Sequence, residues 1–409
     1  MKPSADTISL QIDAIEVAND VFNVDAAGIE VLNVNQKDAA ASVNLDLAGV
    51  TATTGSKTTV NFTGVGGVVA KSMGSTIDTV IATGTGALTV AAADRANTAM
   101  TITGGQGADS IALEHTSDVL DGGAGTNDTL VVSLSAILGG ISVDLGATDQ
   151  IVSLNGGANS AAQSNFENVN LNAFTGFGAV VAGSAGANTI VGTALADQIT
   201  GGNGADTITA GSGNDTITLT EDAQSADDVL ISNGGSADAS TQATTAGGDD
   251  TGADTITGFD AGASADEITT VTATGVTNFV HADDVVFGTG TASATSTGII
   301  ADFSTSALIF DFNGDGDAID DGVDLVINMN SLKIDGVAVT STTRATALTN
   351  IKADIAYNIT GTAAADTITT GGEADTIPAG SGADSITGGA GADIVKWTGT
   401  TAALIATET

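Results

Sequence analysis

From Gly183 onward the chain sets an oxygen-bearing side chain at one fixed point of a nine-residue unit, four times in succession. The units are GSAGANTIV, GTALADQIT, GGNGADTIT and AGSGNDTIT, and their sixth residues are Asn188, Asp197, Asp206 and Asp215. A second run opens at Gly361 with GTAAADTIT, TGGEADTIP, AGSGADSIT and GGAGADIVK, whose sixth residues are Asp366, Asp375, Asp384 and Asp393. Carboxylates recurring at this spacing beside glycine-rich turns, whose carbonyls also face outward, make an all-oxygen donor set. The chemistry it suits is the binding of a hard cation.

Weaker copies of the unit lie elsewhere. At 104–130, GGQGADSIA and LEHTSDVLD supply Asp109 and Asp118, and GGAGTNDTL follows with its register slipped by one. DDTGADTIT at 249–257 is an isolated copy with Asp254. A different arrangement, FDFNGDGDAIDDGVD, alternates Asp311, Asn313, Asp315 and Asp317. That alternation is like the opening ligands of an EF-hand loop, but no helical pattern flanks it and the expected closing Glu is missing. The neighbouring ALIF and LVINM read as strands, so a calcium site carried on a hairpin and a plain acidic turn both fit.

The element that positions these groups is short. The eighth residues of the two runs are Ile190, Ile199, Ile208, Ile217, Ile368, Ile377, Ile386 and Val395. Each centres a three-residue strand that points one apolar side chain inward, while the glycines permit the positive φ of tight turns. Two nonapeptides make one coil, and coils stack at about the ~4.8 Å spacing of paired strands. Asp197 is then expected over Asp215, Asp366 over Asp384, and Asp375 over Asp393. Carboxylates this close repel one another, and with the turn carbonyls they form a cage for an ion of calcium's size.

Composition agrees and excludes other classes. The 409 residues include 54 Gly and 2 Pro, and the apolar fraction rests on Ala, Val, Ile and Leu, which suits many short strands joined by turns. Acidic side chains number 49 against 9 basic ones, a formal charge of -40, so nucleic acid is not an expected partner. There is no cysteine, which removes disulfides and thiolate chemistry. No run of 18 apolar residues occurs, so no membrane insertion is expected. The opening MKPSADTISL has a Lys but no apolar stretch behind it, so export is expected without an N-terminal signal peptide.

Catalytic constellations are not found. His115 and His281 are the only histidines, and neither belongs to an HExxH pair. GxSxG is missing, and the Gly-rich segments lead into Asp rather than Lys-Ser/Thr, so they gather cations rather than phosphates. Trp397 and Tyr357 are the sole Trp and Tyr, too few for the aromatic platforms of a glycan-cleaving groove. No catalytic residue is assigned and no enzyme is expected.

GGNGADTIT and GGAGADIVK resemble the GGxGxDxUx nonapeptide of the RTX (repeats-in-toxin) family. The resemblance implies right-handed parallel β-rolls that bind calcium, in proteins exported by type I secretion. It would make Asp197, Asp206, Asp215, Asp366, Asp375, Asp384 and Asp393 ligands, with carbonyls from Gly201, Gly211, Gly380 and Gly388. Asn188 in place of Asp, Glu373 in place of the fourth-position Gly, and Pro378 at a strand end depart from the pattern. DTITGFDAGASADEI, from Asp254 to Ile268, is similar to the DxIxxFxxGxDxI segment that often follows such arrays, with an insertion before Asp266.

The N-terminal half carries its own echo. IEVLNVN at 29–35 returns as FENVNLN at 166–172, both alternating as half-buried strands, with Asn33, Asn35, Asn170 and Asn172 placed for ladders between coils. The Ala/Thr/Gly-rich, Lys-poor surroundings are similar to RTX-type bacterial surface-layer proteins.

The expected architecture is all-β, a parallel β-roll or β-helix solenoid with calcium-binding Gly-Asp turns and irregular β-regions. It divides into an irregular β-solenoid at 1–95, a coil region with nonapeptides at 96–220, a β-region with acidic loops at 221–350, and a calcium β-roll and tail at 351–409. The expected function is a surface-layer subunit on the bacterial cell surface. It would bind several calcium ions, assemble with itself into an extracellular lattice, and possess an anchor to cell-surface polysaccharide. An RTX adhesin or biofilm-matrix protein is the alternative, and a non-catalytic part of a secreted RTX enzyme a more distant one.

Overall fold

A computed structural model describes residues 6–13, 21–40, 42–95, 98–134, 139–211, 213, 215–219 and 357–397. Beyond these it describes 228–232, 254–257, 267–274, 278–280, 298–302, 307–311, 325–328, 333–334, 337–339, 343, 346, 350 and 405–408. The protein is all-β and consists of parallel coils, as the sequence predicts. It falls into two compact units, Met1–Phe177 and Gly178–Thr409. No helix among the described residues is long and apolar enough to cross a membrane.

From Thr7 to Val132 successive strands alternate between two parallel sheets, so each coil gives one strand to each sheet, while Ile141–Asp144, Ile151–Leu154 and Gly157–Ala158 pair antiparallel in a third sheet. One sheet runs through Thr7–Ile12, Val31–Gln36, Thr58–Gly64, Ile77–Ala82, Thr101–Thr103, Val119–Asp121 and Gln163–Ser164. The other runs through Val21–Ala27, Val43–Thr51, Val68–Lys71, Leu88–Val90, Ser110–Leu113, Thr129–Val132 and Asn168–Asn170. Alternation puts every second side chain inside, and the register stacks these into columns. Leu32, Val60, Val80, Ile102 and Leu120 form one, and Leu45, Ala70, Val90, Ile111, Leu130 and Val169 the other, all buried. Longer strands bury more than one residue each, as with Val43, Leu45 and Leu47, or Val60 and Phe62.

Asn33 does extend a ladder. Asn61 Nδ2 donates to its Oδ1 across the coil at 2.8 Å, and Asn33 Nδ2 reaches Ser9 Oγ at 3.4 Å. The echo at 166–172 lies on the other sheet, where Asn170 Oδ1 instead accepts the N–H of Asn172 in a local turn.

In the second unit the strands between Val180 and Thr218 shrink to the predicted three residues. Val180–Ala182, Gln198–Thr200, Thr216–Thr218, Asp254–Thr257 and Leu325–Asn328 pair in parallel, and Val181, Ile199, Ile217 and Ile256 stack in their interior. Thr189–Val191, Thr207–Thr209 and Asp228–Ser232 pair likewise, with Ile190 over Ile208. Toward the end, Tyr357–Thr360, Thr376–Gly380 and Ile394–Trp397 form one series, and Asn278–Val280, Thr367–Thr369, Ser385–Gly389 and Ile405–Glu408 another. Pro378 is accommodated in its strand, and its carbonyl accepts the N–H of Gly361 at 2.9 Å. The strands expected around the acidic loop exist: Ala307–Asp311 pairs antiparallel with Leu325–Asn328 and with Gly298–Asp302.

Candidate metal sites

The strand of each nonapeptide follows directly on its sixth residue, so a buried Ile fixes where the aspartate enters the coil. Asp197, Asp206, Asp215, Asp366, Asp375 and Asp384 are all 2% exposed or less, and only Asp393, in the last coil, is half-buried. The predicted pairing of aspartates 18 residues apart is realised through the backbone. Asp215 Oδ1 accepts the N–H of Asp197 at 2.8 Å, Asp384 Oδ1 that of Asp366 at 3.1 Å, and Asp393 Oδ1 that of Asp375 at 3.1 Å. Asp206 Oδ1 likewise accepts from Asn188, Asp197 Oδ1 from Ala179, and Asp375 Oδ1 from Tyr357. Each carboxylate therefore satisfies a peptide donor of the preceding coil, a structural task it performs before any metal.

The second oxygen divides the turns into two kinds. Where position two is Thr, the turn closes on the carboxylate: Thr193 donates its N–H to Asp197 Oδ2 at 2.6 Å and its hydroxyl to Oδ1 at 2.9 Å. Thr362 does the same for Asp366, at 2.7 and 2.8 Å. In three other turns of the two runs, Gly202 and Gly204, Gly211 and Gly213, and Gly389 and Gly391 occupy positions two and four and take φ between +85° and +116°. Asp384 follows a turn with Gly380 at φ +85°, and its Oδ2 is buried and accepts no hydrogen bond. That oxygen is placed for a cation.

Where the first position is Gly, it is confined for another reason. A Cβ on Gly192 would collide with Asp197 Oδ2 and the carbonyl of Ala210 in the next coil, and one on Gly388 with Asp393 Oδ2. Glycine there leaves a cradle beside the carboxylate that a side chain would fill. Of the four carbonyls implied as ligands, that of Gly388 already accepts the Thr370 hydroxyl at 3.0 Å.

Electrostatics mark the aspartates as short of positive charge. Burial raises Asp197 and Asp109 above the ordinary carboxylate range, and it raises Asp375 to about 6, with Asp393 adding repulsion. No Lys or Arg of the described residues pairs with Asp366, Asp375 or Asp384. Among the described residues no three His, Cys, Asp or Glu side chains gather as a ready metal cluster. A cation would be held by a pair of carboxylates from stacked coils, with backbone carbonyls completing the shell. The buried free oxygen of Asp384 and the missing counter-charge beside it fit calcium.

In the first unit Asp109 Oδ1 accepts the N–H of Leu88 and its Oδ2 that of Gly105. Above it stands Asp128, a residue the sequence reading passed over. Its Oδ1 accepts the N–H of Asp109 at 2.7 Å, its Oδ2 is buried without a hydrogen bond, and burial with repulsion from Asp109, Glu167 and Asp121 raises it to about 7. GGAGTNDTL carries one residue too many before its Asp, and Asn127 absorbs it at φ +71°, a conformation Asn tolerates. The slipped register was the signal. The column ends on Glu167, whose Oε2 accepts the N–H of Asp128.

Asp118 is occupied differently. Arg95 grips both its oxygens, Nη1 on Oδ2 at 2.8 Å and Nη2 on Oδ1 at 2.7 Å. Half-buried His115 turns Nδ1 to accept the N–H of Ser117. Asp254 begins its strand and Asp311 ends one. Asn313, Asp315, Asp317 and the 258–266 stretch lie outside the described residues.

The comparisons with known proteins agree with this geometry. The chain carries RTX calcium-binding nonapeptide repeats, in four copies, over residues 101–129, 182–217 and 360–395. No curated protein and no solved structure matches it.

Proposed function

We propose that this RTX-repeat protein is an extracellular, calcium-dependent structural protein whose work is assembly rather than catalysis, most specifically a subunit of a bacterial surface layer. The observation that carries the reading is the series of buried aspartates at 197–215 and 366–384, held in a repeating coil. Calcium outside the cell supplies the charge these coils lack, and Asp128 and Asp384 each hold a free oxygen toward it.

Two features support self-association. Free subunits at a net charge of -40 repel one another, and divalent cations lower that barrier. Large apolar side chains also remain on the outside, including Val152, Phe177, Val180, Ile394 and Trp397. Many modest contacts of this kind suit a lattice better than one deep pocket.

The test adds calcium to metal-free protein and follows light scattering and negative-stain images, with magnesium at matched ionic strength as control. Ordered sheets that form with calcium alone are the expected result. A protein that folds with calcium yet stays monomeric at high concentration would overturn the lattice and favour an adhesin.

A further inference from the structure

The repeat LEHTSDVLD at 113–121 departs from its neighbours in a way that tells against metal. Where the pattern asks for glycine, at its first, second and fourth places, it has Leu113, Glu114 and Thr116. Yet its sixth residue, Asp118, is fully buried like the others. The space beside it is taken by Arg95, whose side chain is also without exposure.

The surroundings of that guanidinium are those of a cation cage. Nη1 donates to the carbonyl of Ala112 at 2.7 Å and to Asp118 Oδ2, and Nη2 to the carbonyl of Thr98 at 3.2 Å and to Asp118 Oδ1. Glu114 Oε2 stands 3.8 Å from Nε. Asp118 further accepts the N–H groups of Met100, Glu114 and His115. The shell thus contains two carboxylates and two peptide carbonyls, the donor types calcium prefers. Its centre is filled by a planar cation whose fork matches a carboxylate in two places and which stays charged at any physiological pH.

We infer that Arg95 is a built-in substitute for calcium: this coil neither needs nor admits the metal, and residues 98–121 stay folded when calcium is withdrawn. The inference rests on the calcium reading of the other coils only for the contrast it draws. A guanidinium tethered to the chain cannot be chelated or diluted away. The first unit therefore keeps one locked coil next to the coil that carries Asp128.

Amide hydrogen exchange on the full chain, with calcium and with excess EGTA, tests this. In the wild-type protein, protection of 98–121 should be the same in both conditions. In EGTA, Arg95→Met should lower that protection by roughly two orders of magnitude or more, the consequence of leaving a buried carboxylate unpaired. Arg95→Lys, which retains charge but not the fork, should fall between. Opening of 98–121 in wild-type protein on adding EGTA overturns the inference, and so does wild-type protection in Arg95→Met under EGTA. If Arg95→Met does not fold, the wild-type arm still decides. Segments 183–218 and 361–396 in the same experiment report on calcium separately: were they indifferent to EGTA, that reading would fail while Arg95 could still pass.

Discussion

The coils between Val31 and Ala82 and the coils between Gly183 and Thr218 are built on the same plan with opposite resources. The former have strands of up to nine residues, the longest of which buries Val43, Leu45, Leu47 and Val50, in coils as long as the 28 residues from Leu32 to Val60. The latter have three-residue strands with one buried Ile each, and sixth-position aspartates sealed inside. Fully burying an aliphatic side chain is worth roughly 1.5–3 kcal/mol, so the first kind of coil can close on apolar burial. The second gives up most of that and takes in charge, and its closure is left to a cation. The Arg95 coil lies between them, short like a nonapeptide but supplied with its own cation.

The largest expected effect is on metal removal. Excess EGTA should abolish slow amide exchange in 183–218 and 361–396 while leaving Val31–Gln36 and Thr58–Gly64 protected. Uniform protection before and after would erase the distinction between the two kinds of coil.

Next comes the buried apolar residue. Ile208→Ala should cost roughly 2–5 kcal/mol and, because its strand holds no second buried side chain, should open that coil. Leu32→Ala removes as much from a strand in which Val34 remains buried, and there the coil should stay closed with a lower melting temperature. Denaturant unfolding read together with local exchange separates the two outcomes.

A smaller loss is expected at Asp384→Ala. It leaves the Asp366 N–H without its acceptor, at roughly 1–3 kcal/mol, and should lower the bound calcium measured by equilibrium dialysis. Asp46→Ala, which gives up only the N–H of Ala48, should leave calcium content unchanged. Equal calcium content in both variants would show that the nonapeptide column is not where the ion sits.

A further effect is expected on pH. An unfolded aspartate titrates near ~3.9, whereas Asp128 titrates at about 7 and Asp375 at about 6 in the metal-free fold. Between those values the folded state binds the additional proton, so stability should fall as pH rises from about 4 toward 7. Thermal melts in EGTA should show this slope, and saturating calcium should flatten or reverse it. A metal-free protein that gains stability over that interval would contradict the raised values.

What the sequence made readable follows from what a coil repeats. One Asp and one Ile per nine residues declare strand, turn and partner together, so Asp197 over Asp215 and Ile199 over Ile217 could be read in advance. Asp128 was hidden because a single additional residue breaks a period without breaking the fold: a backbone with one left-handed Asn re-enters register. Arg95 was hidden for a different reason. It lies 23 residues before Asp118 and outside any repeat, and only coiling brings the two together. In the N-terminal coils the alternation of IEVLNVN gave the strands, but coil lengths vary with the loops, and no period in the chain announces them.

The hydrogen bond from each sixth residue to the carboxylate 18 places later gives the rolls a direction. Backbone hydrogen bonds run both ways between coils, but this side-chain bond is always supplied by the successor, so the two ends of a roll present different groups. Cutting away the coil before Asp375 uncovers a carboxylate oxygen, which water solvates readily. Cutting away the coil after it strands a buried N–H, which water cannot reach without opening the turn.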